Sequence, residues 1–478
     1  MFGEILPSIY FPNINVGALL DISTGTFKPG RGGQMICDGG LSPFTGIVAE
    51  PNRFKTGVSN YMDQMAAAFF PKSYHLNYDN ENTYDKYRYF SYAAYVDYLK
   101  DRLADLDGNP QFVFINATRY NGTDYFNLIR SSLQARGDTK GARYTTPFVD
   151  TRTGKQLEAI YPTITICDSM SGLEPADVQE NMAKNDIGSK DNNMMAVKGA
   201  GAKSQMVQQI NTLACRTGGY FIVTGLVGDK IELDPYAPRT RQITYLGMNL
   251  KIKNVPRNFN TQTHSTWLIA KADPLIHRET KTSLYPYDNK TEEKGNTDLN
   301  EIVMINLRNK NGLSGWPIML VVSQAEGIKQ GLTYYNFLKH NKFGLVGNNT
   351  NHVCALRPNE TLSRTTVHAK TENDSKLVNA LRLTAELKQL YQFHRKTFAD
   401  ILCSPEVLHK DLEAMGYDWE RLLSCRIGWC AIEDEDVLGK EDISIVDLLN
   451  MRVGRYIPHW MNKEDRKALK LDAPITVE

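Results

Sequence analysis

The sequence predicts an α/β fold, in which a mostly parallel, twisted sheet carries helices on both faces and is followed by a helical region. Two observations lead to this prediction. From about residue 30 to about residue 330, short apolar strands alternate with amphipathic helices, which is typical of a parallel sheet covered by helices. Beyond about residue 370, apolar residues recur at helical spacing instead.

The expected organisation is an N-terminal segment (1–37), an α/β core (38–330) and a mostly helical C-terminal domain (331–478). Two insertions, at 109–160 and 229–300, are expected to interrupt the core. The first holds its own strand, a helix and a hairpin that turns at Thr153-Gly154, whereas the second is poor in helix signals.

Six segments have the length and apolar character of core strands. They are Gly46 to Ala49, Ser73 to Tyr78, Thr163 to Cys167, Gly219 to Thr224, Ile302 to Leu307 and Pro317 to Ser323.

The composition is that of a soluble globular protein, with 41% hydrophobic and 23% charged residues. Because the net charge is only +1, a nucleic-acid surface has to come from local clusters of charge. The seven cysteines are scattered and include no C-x-x-C pair, which argues against a disulfide framework and against a zinc site. The sequence also lacks a secretory signal and an apolar run of about 20 residues, so a cytoplasmic protein without a membrane partner is expected.

The segment AEPNRFKT, residues 49 to 56, joins a predicted strand to a predicted helix. A phosphate-binding loop needs this arrangement, with a Lys for the outer phosphates and a Ser or Thr hydroxyl for Mg²⁺ at the start of the helix. Lys55 and Thr56 meet these requirements, although Ala49 and Phe54 stand where the motif usually has glycine. A Lys-Thr pair also occurs by accident at helix starts, so this segment alone leaves both interpretations open. The candidate nucleotide-binding residues are Ala49, Glu50, Pro51, Asn52, Arg53, Phe54, Lys55, Thr56 and Gly57.

Acidic residues follow the next two predicted core strands. Asp79 and Glu81 come after the second strand, and Asp168 ends the third. Parallel strands end at the same edge of a sheet, so Glu81 is expected to face the phosphates and to orient an attacking water. Asp168 is expected to hold Mg²⁺ through water. Each acid alone is more typical of a helix cap or a turn, but three elements in the correct order favour a site for ATP and Mg²⁺.

These residues resemble those of the RecA-type ATPases, most closely the phage-encoded RecA/UvsX-type recombinases, from about residue 38 to about residue 325. The stretch DGGLSPFTGIV is similar to that family's Gly-Gly-Leu lead into its first core strand, and FKT resembles the phage loop, in which Phe also precedes the Lys. YDNE is similar to the segment with the catalytic Glu, which falls on Glu81, and ICDSM is similar to the Walker B strand, which falls on Asp168. The resemblance implies a RecA-like P-loop ATPase core.

A predicted hairpin, INLRNKNGLSGWPI, carries Arg308 and Lys310 on one face of its first strand. Such cations are commonly just solvated. In RecA-type and DnaB-type motors, however, a similar hairpin supplies cations to the ATP of the neighbouring subunit. The resemblance therefore implies that Arg308 and Lys310 complete the catalytic set of Lys55 and Glu81 in trans.

One feature departs from the family pattern. The strand that links ATP to DNA usually ends in Gln or His, but this chain has Gly225 and Leu226 there. Thr224 or Asp229 is the candidate substitute.

Two segments correspond to the DNA-binding loops of RecA-type recombinases. The first, 184–203, is rich in Gly, Asn and Lys and is expected to be a mobile loop, and the second, 229–263, contains a run of basic residues without an acid. The candidate DNA-binding residues are Lys190, Lys198, Lys203, Arg239, Arg241, Lys251, Lys253 and Arg257.

The expected function is that of an ATP-dependent DNA recombinase, which forms a helical filament on single-stranded DNA and pairs it with duplex DNA. Phage origin would place it in the cytoplasm of a bacterial host. A ring-shaped helicase of the DnaB type is the nearest alternative, although the roughly 45 residues before the loop leave no room for a DnaB-type N-terminal domain. A scaffold that uses ATP only to assemble on DNA, and a metabolic kinase, are further alternatives.

Overall fold

The structure is a computed structural model. It describes residues 10–80, 86–96, 99, 110–116, 120–137, 140–184, 190–229, 246, 250–348, 350–429, 441–458, 460–461 and 463–468.

The helices and strands up to residue 328 build the sheet and its immediate surroundings. They are α1 (Leu20–Thr24), β1 (Thr26–Pro29), β2 (Met35–Asp38), β3 (Phe44–Ala49), α2 (Lys55–Phe69), β4 (Tyr74–Asp79), α3 (Lys86–Ala93), β5 (Phe112–Asn116), α4 (Gly122–Gly137), β6 (Arg143–Val149), β7 (Gln156–Ile160), β8 (Thr163–Asp168), α5 (Ala176–Lys184), α6 (Lys190–Thr217), β9 (Gly219–Asp229), β10 (Leu250–Ile252), α7 (Phe259–Gln262), β11 (Ser265–Pro274), β12 (Leu299–Asn309), β13 (Pro317–Ser323) and β14 (Gly327–Ile328).

The remainder is mostly helical, with short strands between the helices. Its elements are α8 (Gln330–Asn341), β15 (Leu345–Gly347), β16 (Asn351–Cys354), β17 (Arg357–Ser363), α9 (Val367–Asn373), α10 (Ser375–Phe393), α11 (Pro405–Ala414), α12 (Trp419–Ser424), β18 (Arg426–Ile427), β19 (Asp442–Ile443), α13 (Ile445–Arg452) and α14 (Lys463–Ala468).

Ten of the described strands form one sheet, in the order β14-β13-β12-β11-β3-β9-β8-β4-β5, with β10 added on β9. The strands from β11 to β5 in this order run parallel to one another. In contrast, β12, β13 and β14 each run antiparallel to the strand before. The predicted mostly parallel sheet is therefore confirmed, and it contains all six predicted core strands.

Helices cover both faces of the sheet. On one face, α2 contributes Val58 and Met62 to a cluster that includes Ile164 and Ile166 of β8. On the other face, α4 and α6 pack in a second cluster against β3, β8 and β9. Because the central strands are covered on both faces, β3 and β8 are buried along their whole length, which explains why they read as continuous apolar or β-branched runs.

Three sheet strands, β5, β10 and β11, lie in segments that the sequence analysis treated as insertions. β5 pairs with β4 at one edge, and β11 pairs with β3 in the middle of the sheet. The pattern of β11, STWLIAKADP, alternates only weakly and ends in charged residues, so its place beside β3 is decided by the packing of Trp267 and Ile269. The hairpin of β6 and β7 forms as predicted, and Gly154 supplies the left-handed residue of its turn, with φ of 67°.

The segment 184–203 was expected to be a mobile loop, and this expectation was wrong for residues 190–203, which are the beginning of α6. Gly199 in this segment has a role in packing instead. A Cβ on Gly199 would lie 3.0 Å from a side-chain carbon of Val178, so the glycine allows α6 to approach α5 closely.

The helices after residue 330 share one hydrophobic cluster with the sheet, since Leu332 of α8 and Leu381 of α10 lie in the same cluster as β3. The N-terminal segment also belongs to this cluster and packs on α10. Gln389 donates to the carbonyl of Leu19 at 2.8 Å. Whether residues 331–478 fold as a separate domain stays a prediction. Within the described part of the chain, no helix is long and apolar enough to cross a membrane.

The contact between β3 and α7 is a place where a single methyl group decides the packing. A Cβ on Gly46 would lie only 2.8 Å from a ring atom of Phe259. We expect Gly46→Ala to lower the free energy of unfolding by about 1–3 kcal/mol, because a close-packed core resists added volume. Urea denaturation followed by circular dichroism measures the change.

Gly201→Ala is the matched control, because a Cβ there meets no described atom within 4 Å. Alanine at this position in α6 should leave stability unchanged or raise it by up to about 1 kcal/mol. Equal loss in both variants would contradict the packing explanation.

Candidate functional site

The loop between β3 and α2 turns without glycine. Asn52 and Phe54 both adopt left-handed backbone conformations, with φ of 59° in each. Phe54 stands directly before Lys55, where the phosphate-loop motif has glycine. A left-handed residue with a Cβ costs about 1–2 kcal/mol, so the loop keeps this turn against the preference of Phe54. Conformations of this kind are concentrated at functional sites.

Lys55 lies at the first position of α2, and its ammonium donates to the carbonyl of Glu50 at 3.3 Å. The side chain therefore turns back over its own loop. At a helix N-terminus the backbone N–H groups of the first turn have no partner inside the helix and favour an anion. An anion bound there would meet both these N–H groups and the ammonium of Lys55.

Asp168 connects the loop helix to two strands. Thr56 donates from Oγ1 to Asp168 Oδ2 at 2.5 Å, and Thr224 donates from Oγ1 to Asp168 Oδ1 at 2.5 Å. Thr56 and Asp168 come from parts of the chain 112 residues apart. The structure thus brings together the two residues for which the sequence analysis predicted a shared Mg²⁺. Thr224, the candidate substitute for the missing Gln or His, contacts the same carboxylate.

A second acid lies beside Asp168. Asp79 of β4 is its register partner in the sheet, and both are buried, with 8% exposure each. Asn80 continues the contact, because its side chain exchanges hydrogen bonds with the backbone of Ser169 at 2.5 and 2.7 Å. Glu81, the proposed catalytic base, lies outside the described residues.

The donors present suit Mg²⁺ that remains partly hydrated. The described residues contain no group of three or more His, Cys, Asp or Glu that could hold a metal by themselves. Mg²⁺ usually keeps several waters and binds through one or two carboxylates plus phosphate oxygens. The hydroxyl of Thr56 and the carboxylate of Asp168 match that kind of site.

Arg308 and Lys310 lie far along the sheet from the loop. Arg308 pairs with Thr266 near the beginning of β11, whereas the loop follows Ala49, which pairs with Ile269. The guanidinium of Arg308 donates to the carbonyls of Thr261 and Thr263 at 3.1 and 3.0 Å.

Lys310 donates to the carbonyl of Gln262 at 3.5 Å, so both cations stabilise the C-terminal end of α7. This end of α7 lies where β11 begins, whereas the loop follows the end of β3. Because β3 and β11 are parallel, the two lie at opposite ends of the strands. Within one copy of the chain, these cations therefore face away from Lys55.

His264 lies beside the same two cations. Burial, together with the positive charges of Lys310 and Arg308, lowers its pKa from 6.5 to about 4. Its Nδ1 atom is buried and has no hydrogen-bond partner among the described residues. The ring is therefore neutral at ordinary pH.

The eight candidate DNA-binding residues divide into three groups. Lys251, Lys253 and Arg257 are exposed, around and just after β10. Lys203 was expected at the DNA surface, but it is buried, with 7% exposure. Its ammonium donates to backbone carbonyls of Met170 and Asn254, so it has a structural role. The described structure gives no side-chain positions for the remaining four, since Arg239 and Arg241 lie outside it and only the backbone is described at Lys190 and Lys198.

The exposed cations are connected to the end of β8. Ser171, three residues after Asp168, donates from its hydroxyl to the carbonyl of Lys253 at 2.8 Å and accepts from the N–H of Leu226 at 2.9 Å. The sequence analysis did not single out Ser171, because a serine after a strand carries no signal of its own. Its two bonds link the Asp168 segment to the basic segment.

A buried Ser-His-Asp arrangement was also not anticipated. His75 contacts Asp63 at 2.6 Å and Ser73 at 2.7 Å. Ser73 is only 2% exposed and its hydroxyl donates to the carbonyl of Phe70, so it cannot serve as a nucleophile. Tyr89 donates to the second oxygen of Asp63 at 2.7 Å. The group joins α2 to β4 and is structural.

No protein-family model matches this chain, and no curated protein matches its sequence. Its function therefore has to be inferred from its own residues.

The pKa of His264 gives a prediction for stability against pH. The unfolded chain binds a proton at His264 below about pH 6.5, whereas the folded chain binds it only near pH 4. The contribution of this residue is therefore complete above pH 6.5 and decreases as the pH falls towards 4.

We expect His264→Gln to remove this part of the pH dependence. The parent should lose more stability than the variant between about pH 7 and about pH 4.5, measured as the difference in urea midpoints. Identical losses in the two proteins would show that His264 titrates normally.

Proposed function

We propose that this protein is an ATP-dependent DNA recombinase of the RecA type, which assembles on single-stranded DNA with ATP and Mg²⁺ bound between neighbouring copies. The observation that carries the proposal is the contact of Thr56 with Asp168 beside Lys55. A strand, a left-handed turn, a Lys, a hydroxyl and a carboxylate from another strand of the sheet are the parts that a phosphate loop and its metal site require.

The residues of the loop would divide the work. Lys55 and the N–H groups of the first turn of α2 would neutralise the outer phosphates. Thr56 and Asp168 would hold Mg²⁺, which when bound neutralises charge on the phosphates during transfer. Glu81, which comes directly after Asp79 and Asn80 in the sequence, is proposed to orient the attacking water.

The location of Arg308 and Lys310 supports a site shared between copies. Both cations lie at the edge of the sheet opposite to the loop, so they have no reach to the phosphates of their own chain. On a neighbouring copy they would exchange the carbonyls of α7 for phosphate oxygens, as an arginine finger does.

DNA binding is proposed for the exposed basic segment. Lys251, Lys253 and Arg257 would contact the phosphate backbone, which favours local positive charge whatever the sequence. Ser171, three residues after Asp168 in the chain, donates to the backbone of this segment, so a shift of the Asp168 segment on nucleotide binding would move the proposed DNA surface.

Negative-stain microscopy tests the assembly. With single-stranded DNA, Mg²⁺ and a non-hydrolysable ATP analogue, the protein should form helical filaments. Lys55→Ala should form none, because it removes the charge that grips the outer phosphates, while Lys155→Ala, at an exposed position of the hairpin, should behave as the parent. Closed hexameric rings would favour the helicase alternative. Filaments without DNA-stimulated phosphate release would favour a scaffold.

Mixing two inactive variants tests the shared site. Lys55→Ala and Arg308→Ala should each hydrolyse little ATP alone. In a mixture, an interface that combines Lys55 of one copy with Arg308 of another has both groups, so DNA-stimulated phosphate release should exceed the sum of the separate variants. No gain over that sum would contradict a site completed in trans.

A further inference from the structure

The phosphate loop contains an ion pair of its own. Arg53 Nη2 lies 2.5 Å from Glu50 Oε2, and Arg53 Nη1 donates to the backbone carbonyl of Ala270. One guanidinium therefore holds the side chain of the first loop residue and also a backbone carbonyl in the middle of β11. The loop is connected in this way to the strand on its far side, 217 residues away in the chain.

Glu50 lies where a negative charge is unfavourable for an anion site. The backbone carbonyl of Glu50 accepts a hydrogen bond from the ammonium of Lys55. The backbone of Glu50 is therefore in direct contact with the cation proposed for the outer phosphates. A free carboxylate at this position would repel a bound triphosphate. The pair with Arg53 offsets that negative charge and gives the carboxylate a fixed direction.

The pair is partly exposed, with 27% of the Arg53 side chain and 44% of the Glu50 side chain accessible. Exposed ion pairs contribute little to stability and are screened by salt. The arrangement is therefore poorly explained as a stabilising device, and its position beside Lys55 points to an effect on ligand binding.

We propose that Arg53 is a positioning residue for nucleotide binding: it holds the Glu50 carboxylate away from the phosphates and fixes the loop to β11. This inference rests on the proposed nucleotide site, and it extends it by naming a residue pair that sets the affinity. Arginine suits the task because its planar fork presents N–H groups in fixed directions to two acceptors, whereas a lysine ammonium is a compact point charge on a flexible stem.

The affinity for a fluorescent ATP analogue with Mg²⁺, measured by anisotropy on the full chain, tests the proposal. Arg53→Ala should weaken binding by about tenfold, because Glu50 is then an unpaired negative charge beside the phosphates. The double variant Glu50→Gln with Arg53→Ala should recover most of the lost affinity. Raising the salt concentration should shrink the loss in Arg53→Ala, since the repulsion is screened.

Arg53→Lys separates charge from bridging. A lysine keeps the positive charge beside Glu50 but lacks the planar fork that bridges the two acceptors, so binding between that of the parent and that of Arg53→Ala is expected. The control is the pair of Asp150 with the exposed Arg152 on the hairpin of β6 and β7; Arg152→Ala should bind as the parent. Thermal unfolding of each variant without nucleotide shows whether it is folded.

The outcomes separate this inference from the proposed function. If the parent does not bind the analogue, or if Lys55→Ala binds it equally well, the nucleotide site itself is wrong. If the parent binds, Lys55→Ala does not, and Arg53→Ala equals the parent, only the role of Arg53 is overturned. A double variant as weak as Arg53→Ala, with a loss that salt does not change, would also overturn it.

Discussion

The carboxylate of Asp168 joins three parts of the molecule, because its two oxygens accept hydroxyls from different elements. Thr56 brings the first turn of α2 to the end of β8, and Thr224 adds the neighbouring strand β9. A buried carboxylate is expensive unless its oxygens are bonded, and here each has one short bond to a hydroxyl. If a metal ion bound the hydroxyl of Thr56, Asp168 Oδ2 would lose its hydrogen bond to Thr56. That oxygen could then accept a hydrogen bond from a water bound to the metal. The bond that holds the site together is thus also the bond that a metal would rearrange.

Acidic and basic side chains lie at opposite ends of the parallel strands. Carboxylates gather where β4 and β8 end, and this edge also carries the loop with Lys55. The cations Arg308 and Lys310 gather at the other edge, where they crowd the neutral ring of His264. A surface that is complementary to a different surface of the same molecule makes head-to-tail contacts, and such contacts propagate into filaments unless the rotation closes a ring. A site completed by Arg308 and Lys310 of a neighbouring copy, as proposed, would be a contact of this head-to-tail kind.

Much of this architecture was predictable from local patterns, and the exceptions share one cause. β3 and β8 are continuous apolar or β-branched runs because both of their faces are covered, so they could be recognised without tertiary information. The left-handed conformation of Phe54 could not be read from the residue type, which disfavours it. Likewise, the glycine at 199 suggested a loop, but its purpose is close contact with Val178. The burial of Lys203 on two carbonyls is equally invisible to a local pattern, since it depends on which segments meet.

The hydrogen bond between the N-terminal segment and α10 has a consequence for how the chain folds during synthesis. Leu19 accepts its hydrogen bond from Gln389, a residue made 370 positions later. At translation speeds of about 5–20 residues per second, the segment waits roughly 20 to 75 seconds for that partner. Ile14 and Ile22 of this segment are buried in the same hydrophobic cluster as α10. The sheet can assemble during translation, but this hydrogen bond forms only after α10 has been made.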